Sequence, residues 1–192
     1  MSGLLRSKRA ESFYTVFFLT HAAITVFVDL QPFYPRSIVP DALKHLGEFY
    51  LEISGDPLVA SLAGLGPYSH NAYGAWFKTF ACIEAVFQLP FFFVAAAGIW
   101  RGSATVWVLV FAYATSTLTT ILPCIATFLS LPISPEETPI SVLAVTQGQL
   151  NMLLASYLPF VFILSFMSID AGARLWHMIR QAEQVAKVSK SS

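Results

Sequence analysis

Charge is the scarcest commodity in this chain. Asp, Glu, Lys and Arg make up 11% of its 192 residues, where soluble domains carry roughly 25%. The formal net charge is zero, which excludes the basic footprint that a nucleic-acid partner requires. Cysteine is nearly absent. Cys82 and Cys124 both lie in apolar runs, so the sequence reads as two buried thiols without a structural disulfide. Nucleotide-binding loops, zinc signatures and Ser-His-Asp or Cys-His sets are missing. His45, His70 and His177 fall outside the apolar runs and lack metal-ligand spacing. No metal or other cofactor is therefore expected. Apolar surface is what the chain has in excess: 56% of residues are hydrophobic and 17 are Phe. That composition implies one integral membrane domain.

The longest apolar stretch, Trp76 to Trp100, is WFKTFACIEAVFQLPFFFVAAAGIW. About 20 apolar residues cross a bilayer, so it reads as a span, although Glu84, Gln88 and Pro90 interrupt it. Three more spans follow from the same argument. Spans are expected over about 12–31, 76–100, 104–131 and 142–169. A basic start before the first apolar run resembles a signal peptide, but the run is long and lacks a small-residue cleavage site, so it is read as a retained span. The interval 32–75 reads as a loop with short helices. Within it, 41–53 shows an apolar side and Asp56-Pro57 is a helix-start pair. Lys and Arg gather at the N-terminus, at 101–103 and in the tail 170–192, whereas 132–141 has none. By the positive-inside rule both termini face the cytosol and the 32–75 loop faces the lumen. The fold class is all-α: a polytopic four-helix membrane bundle forming one domain.

Each span carries a polar stripe. His21, Thr25 and Asp29 recur every four residues; Glu84 and Gln88 repeat that spacing; the third span offers Tyr113, Ser116, Thr117, Thr120, Cys124 and Thr127; the fourth offers Asn151, Ser156 and Tyr157. Residues four apart share a helix face, so the stripes turn inward on a hydrogen-bonded core or a cavity. Pro90, Pro123 and Pro159 each sit inside a span. Proline deletes a backbone hydrogen bond and bends a helix, and three bent neighbours favour a central cavity. A carboxylate in lipid costs roughly 2.5–3.5 kcal/mol, so Glu84 needs a partner. Asp29 has two readings: solvated at the membrane surface, or sharing the cavity with Glu84. In the second, two carboxylates in low dielectric share one proton and one negative charge, which suits a cationic amine. His21 reads as a hydrogen-bonded core residue, and Asp56 as a helix cap.

FFLTHAAITVFVDLQ (Phe17 to Gln31), DPLV (Asp56 to Val59), WFKTFACIEAVFQLPFF (Trp76 to Phe92) and TTILPCIATFL (Thr119 to Leu129) resemble the sigma-2 receptor branch of the EXPERA-domain family. Its sister branch is the emopamil-binding sterol isomerase. The resemblance is weakest in the fourth span, where SYLPF (Ser156 to Phe160) matches best, and the chain looks like a non-mammalian member. It implies an endoplasmic-reticulum membrane receptor of sterol homeostasis, not an enzyme, whose intramembrane pocket takes sterols, oxysterols and cationic amphiphiles. It also implies a homodimer and contact with membrane lipid; a chaperone-like partner of a larger sterol transporter is a separate reading, for which the sequence offers no discriminating residue. By the same resemblance Asp29 pairs with the ligand amine, Glu84 hydrogen-bonds Asp29, and Gln88, Tyr113, Thr120 and Tyr157 line the cavity with His21 nearby. Asp56 is implied to be architectural. Phe160 replaces a family tyrosine, the 61–74 loop looks longer, and Lys187 and Lys190 only loosely match a retrieval signal. The alternative is a sterol isomerase with Glu84 as proton donor. That branch has a further acid in its third helix, and 104–131 contains no Asp or Glu.

Overall fold

The computed structural model describes residues 8–70 and 72–191. Among them are seven α-helices: α1 (Lys8–Ile24), α2 (Asp41–Ser54), α3 (Pro57–Leu62), α4 (Ala72–Ile83), α5 (Leu89–Trp100), α6 (Val106–Leu129) and α7 (Gln147–Ser191). Two five-residue π turns extend this set, Thr25–Asp29 after α1 and Glu84–Gln88 between α4 and α5. Four helical segments are long and apolar enough to cross a membrane: Lys8–Asp29, Gly74–Trp100, Val106–Leu129 and Gln147–Lys190. The described fold is thus an all-helical, four-span membrane domain.

The spans associate as two pairs, α1 along α5 and α6 along α7. Lipid tails give little hydrophobic drive between helices, so close association depends on small residues and packing. Ala22 of α1, Ala95 and Ala96 of α5, and Ala114 and Ala171 of the other pair are all buried in one core. The pairs meet through large rings. Phe18 packs on Phe92 and edge-on to Tyr113, with centroids 6.0 and 5.4 Å apart. Phe91 stacks on Tyr113 at 5.0 Å. These rings fill the end of the bundle nearer the chain termini. The centre is therefore not open along its whole length. A second core, built on Leu58, Cys124, Phe128, Leu131, Val145 and Leu153, closes the loop end.

Several elements differ from the sequence expectation for physical reasons. The fourth span begins at Gln147, not near Val142, because Thr146 and Gln149 form a reciprocal cap. The amide of Gln149 donates to Thr146 Oγ1 at 3.1 Å, and the amide of Thr146 donates to Gln149 Oε1 at 2.9 Å. From there α7 runs 45 residues without a break, roughly 67 Å at 1.5 Å per residue. Arg174, read as part of the tail, is instead buried at 7% exposure. Pro123 and Pro159 lie inside continuous α6 and α7 with their side chains exposed. Cys82 is exposed; only Cys124 is buried. On α2, Leu46 and Phe49 of the apolar side are exposed.

Candidate functional site

Asp29 and Glu84 each sit on a π turn. In α1 the amide of Leu30 reaches back five residues to the carbonyl of Thr25, at 3.0 Å. In the second span the amide of Leu89 bonds the carbonyl of Glu84, again five back. The second case has a local cause. Pro90 has no N–H and its ring would strike the carbonyl four residues earlier in a regular helix, so the turn before it widens. A π turn holds more than four residues, whereas an α-turn holds 3.6. The four-residue stripe therefore drifts one way from His21 to Thr25 and back again from Thr25 to Asp29. Glu84 opens its π turn and Gln88 closes it. Single π turns inside α-helices concentrate at functional sites.

The Thr25 hydroxyl, fully buried, donates to Glu84 Oε1 at 2.7 Å. Nε2 of His21 stands 3.6 Å from the same oxygen. Asp29 closes the α1 turn with its carboxylate in the electrostatic field of Glu84 and His21 and within reach of Thr25. Access is retained at this level: the Glu84 side chain is 22% exposed and that of His21 13%. The His21 ring is walled by Phe17, Phe92 and Phe160, at centroid distances of 5.5, 4.9 and 5.2 Å. Phe160 thus supplies an apolar edge.

Nδ1 of His21 is buried without a hydrogen-bond partner among the described residues, and the buried Tyr113 and Thr117 hydroxyls lie close to each other without a well-formed hydrogen bond. His21 and Tyr113 share the ring cluster through Phe92, and Tyr113 lies in the field of Glu84. A buried unsatisfied polar atom costs about 1–3 kcal/mol, so His21 Nδ1 beside Glu84, with the Tyr113–Thr117 pair adjoining, leaves hydrogen-bonding capacity unspent at this level. The site holds no lysine or arginine. Among the described residues Glu84 has only His21 as an ion-pair neighbour, and the described ion pairs of Asp and Glu with Lys or Arg lie elsewhere.

The other expected residues divide between two places. Gln88 is half-buried beside Glu84. The Thr120 hydroxyl is spent on the carbonyl of Thr117 at 2.9 Å. Tyr157, expected to line the same cavity, donates its hydroxyl to Asp56 Oδ2 at 3.4 Å, packs edge-on to Phe128 at 4.8 Å and also lies in the field of Asp29, so the Asp56 group adjoins the Asp29 side of the site. Asp56 is fully buried. Its Oδ1 caps α3, accepting from the amides of Leu58 and Val59 at 2.8 and 3.0 Å, while Oδ2 also accepts from Tyr50 at 2.9 Å. Burial raises its carboxyl above the ordinary range, although these donors pull the other way. Burial and the adjacent Asp56 likewise push the Tyr50 phenol up.

A cluster that sequence reasoning missed lies near the termini. Arg174 Nη1 donates to Glu11 Oε1 at 2.9 Å and its Nε to Asp170 Oδ2 at 3.1 Å. Tyr14 donates to the same Asp170 oxygen at 3.1 Å, and the guanidinium lies 3.9 Å from the Trp107 ring centroid, a cation–π contact. The Arg174–Asp170 spacing of four residues was visible; Glu11, 163 residues away, was not.

Comparison with known proteins agrees with this architecture. Residues 42–171 match the family model for EBP, EXPERA (EXPanded EBP superfamily). Sigma intracellular receptor 2 of Macaca fascicularis and of Homo sapiens are each 37% identical over 116 residues, 59% of this chain and 59% of theirs. The match thus spans less than two thirds of either receptor. The Xenopus tropicalis protein of the same name is 31% identical over 151 residues, 77% of this chain and 78% of its own. These matches, with the four apolar spans, place the chain in the EXPERA family of sterol-related membrane proteins, among relatives named Sigma intracellular receptor 2.

Proposed function

We propose that this protein is a receptor-like binder of amphiphiles, taking sterols or oxysterols and cationic amines into the membrane at the Asp29–Glu84 site. One observation carries the reading: two carboxylates within the bundle have a hydroxyl and an imidazole beside them but no protein cation. A ligand amine supplies the missing positive charge. In low dielectric such a pairing is far stronger than in water. Asp29 is the counter-ion, and Glu84, oriented by Thr25, fixes it. Nδ1 of His21 and the Tyr113 and Thr117 hydroxyls give a neutral ligand's hydroxyl its hydrogen bonds, while Phe17, Phe92 and Phe160 accept its apolar body. Tyr157 and Asp56 support the site from the loop end.

The setting that fits this activity is the endoplasmic-reticulum membrane, with both termini cytosolic and a role in sterol homeostasis as a homodimer partnered with a sterol transporter. The relatives' receptor names favour a binder over an enzyme. An isomerase would need acids around a carbocation, and α6 contributes none. Binding of a tertiary-amine amphiphile and of a neutral sterol to purified protein tests the proposal. Asp29→Asn is expected to weaken the amine roughly 100-fold, the scale of an unpaired buried charge, and to leave the sterol within a few-fold. Equal loss of both ligands contradicts the assignment. Rescue of an isomerase-deficient yeast strain's sterol profile would move the reading to an enzyme.

A further inference from the structure

A groove of about 850 Å³ opens on the outer face of α5 and α6, away from the acid site. Its length is apolar: Phe93, Val94 and Ala97 on one side, Val108 and Leu109 on the other. Its upper end is polar: Arg101, Ser103 and Thr105. α5 and α6 touch at the Gly98–Val106 crossing, where a Cβ on Gly98 would lie 2.6 Å from Val106 Cγ2, and again where Phe91 and Phe92 meet Tyr113; the groove lies on the outer face of this pair. The connection above is fixed. Gly102 adopts φ 67°, and the amides of Ser103 and Gly102 return to the carbonyls of Gly98 and Ile99, both at 2.9 Å, closing the α5 helix end in a Schellman arrangement.

The charge at that end has no protein partner. Arg101 is exposed and makes no ion pair among the described residues. Thr105 gives no side-chain cap to α6; the amides of Trp107 and Val108 are taken by the carbonyls of Ala104 and Thr105, so only the dipole of the 24-residue helix adds to the positive field at this corner. The Ser103 and Thr105 hydroxyls stand 3.0 Å apart there. Trp100, 84% exposed, marks this depth as the membrane–water interface, where aromatic belts sit. From Arg101 to Phe93 the groove descends roughly 12 Å into the apolar zone.

We propose that this groove binds an anionic glycerophospholipid. An acyl chain lies along Ala97 and Leu109, and the phosphate meets Arg101 and the Ser103 and Thr105 hydroxyls. A free phosphate does not fit the observation, because most of the lining is apolar. A basic corner above an apolar cleft between spans is the arrangement that holds acidic lipid headgroups. The occupant differs from the ligand of the acid site in charge, depth and face of the bundle.

Native mass spectrometry of protein released from nanodiscs of phosphatidylglycerol and phosphatidylcholine tests this. Wild type is expected to retain one phosphatidylglycerol per protomer, preferred about tenfold over phosphatidylcholine, as a charge-assisted contact provides. Arg101→Gln abolishes that preference, Ala97→Phe lowers retention of both lipids, and Arg36→Gln, the same charge lost at the opposite end, changes neither. Unchanged amine binding in Arg101→Gln shows that the bundle is folded. Equal retention of the two lipids by wild type overturns the proposal, as does full preference in Arg101→Gln. A loss of dimer mass in Ala97→Phe with lipid retention intact would assign the groove to a second copy instead.

Discussion

Two acidic clusters occupy the same bundle and are built on opposite principles. Near the termini, Glu11 and Asp170 share Arg174, with Tyr14 and Trp107 completing its surroundings. At the π turns, Asp29 and Glu84 share Thr25 and His21 and have no guanidinium or ammonium. The first cluster ties the start of α1 to the far end of α7 and leaves little for a ligand to add. The second keeps hydrogen-bonding capacity unspent at His21, Tyr113 and Thr117. A buried acid with its own cation has its charge matched within the protein; one without a cation has charge left to pair. Asp56 is a third case, satisfied by four neutral donors in place of a cation.

Breaking the first cluster should show the largest effect. Arg174→Met leaves two carboxylates unpaired, at a cost of about 3–5 kcal/mol. The thermal midpoint in detergent should fall on the order of 10 °C, while amine affinity per folded molecule holds. A stable variant with lost binding would reverse the roles of the two clusters. Glu84→Gln is the milder mirror of this at the second cluster. Thr25 can still donate to the amide oxygen, so stability should hold, and equilibrium binding should show amine affinity reduced roughly tenfold. Thr146→Ala removes one half of the α7 cap and touches neither cluster. It should cost about 1 kcal/mol, seen as a drop of roughly 2–4 °C with binding unchanged.

Asp56 sharpens the comparison through pH. Its carboxyl is raised in the folded protein, so the folded state keeps its proton to higher pH than the unfolded chain does. That contribution to stability is full below the unfolded value, about 3.9, and is lost as pH rises through the folded value. Denaturation midpoints across that range should decline with pH in wild type, and Asp56→Asn should flatten this part of the curve.

Much of the fold was legible in the chain. Apolar runs of span length, separated by Pro132, Pro135 and the Arg101–Gly102–Ser103 connection, were enough for four helices. The stripe His21–Thr25–Asp29 pointed inward for a reason of spacing alone. The π turns were not legible, since their only local sign is the proline that follows, Pro90 in one case and Pro32 in the other. The start of α7 was written in the sequence as Thr146-x-x-Gln149, a capping box obscured by the polar first turn. Arg174 was placed in the tail because its partner Glu11 lies at the other end of the chain, and no periodicity reaches that far. Tyr157 bonds Asp56 while lying in the field of Asp29; its partner is 101 residues away, beyond the reach of any periodicity.

The most direct test of the missing-cation account is a cycle of ligand charge against protein charge. The affinities of a cationic amphiphile and its uncharged carbon isostere would be measured on wild type and on Asp29→Asn. The account predicts strong coupling: the amine loses roughly 100-fold on substitution, the isostere changes by no more than a few-fold, and the variant no longer distinguishes the two. Additive effects, with the same loss for charged and uncharged ligand, would contradict it.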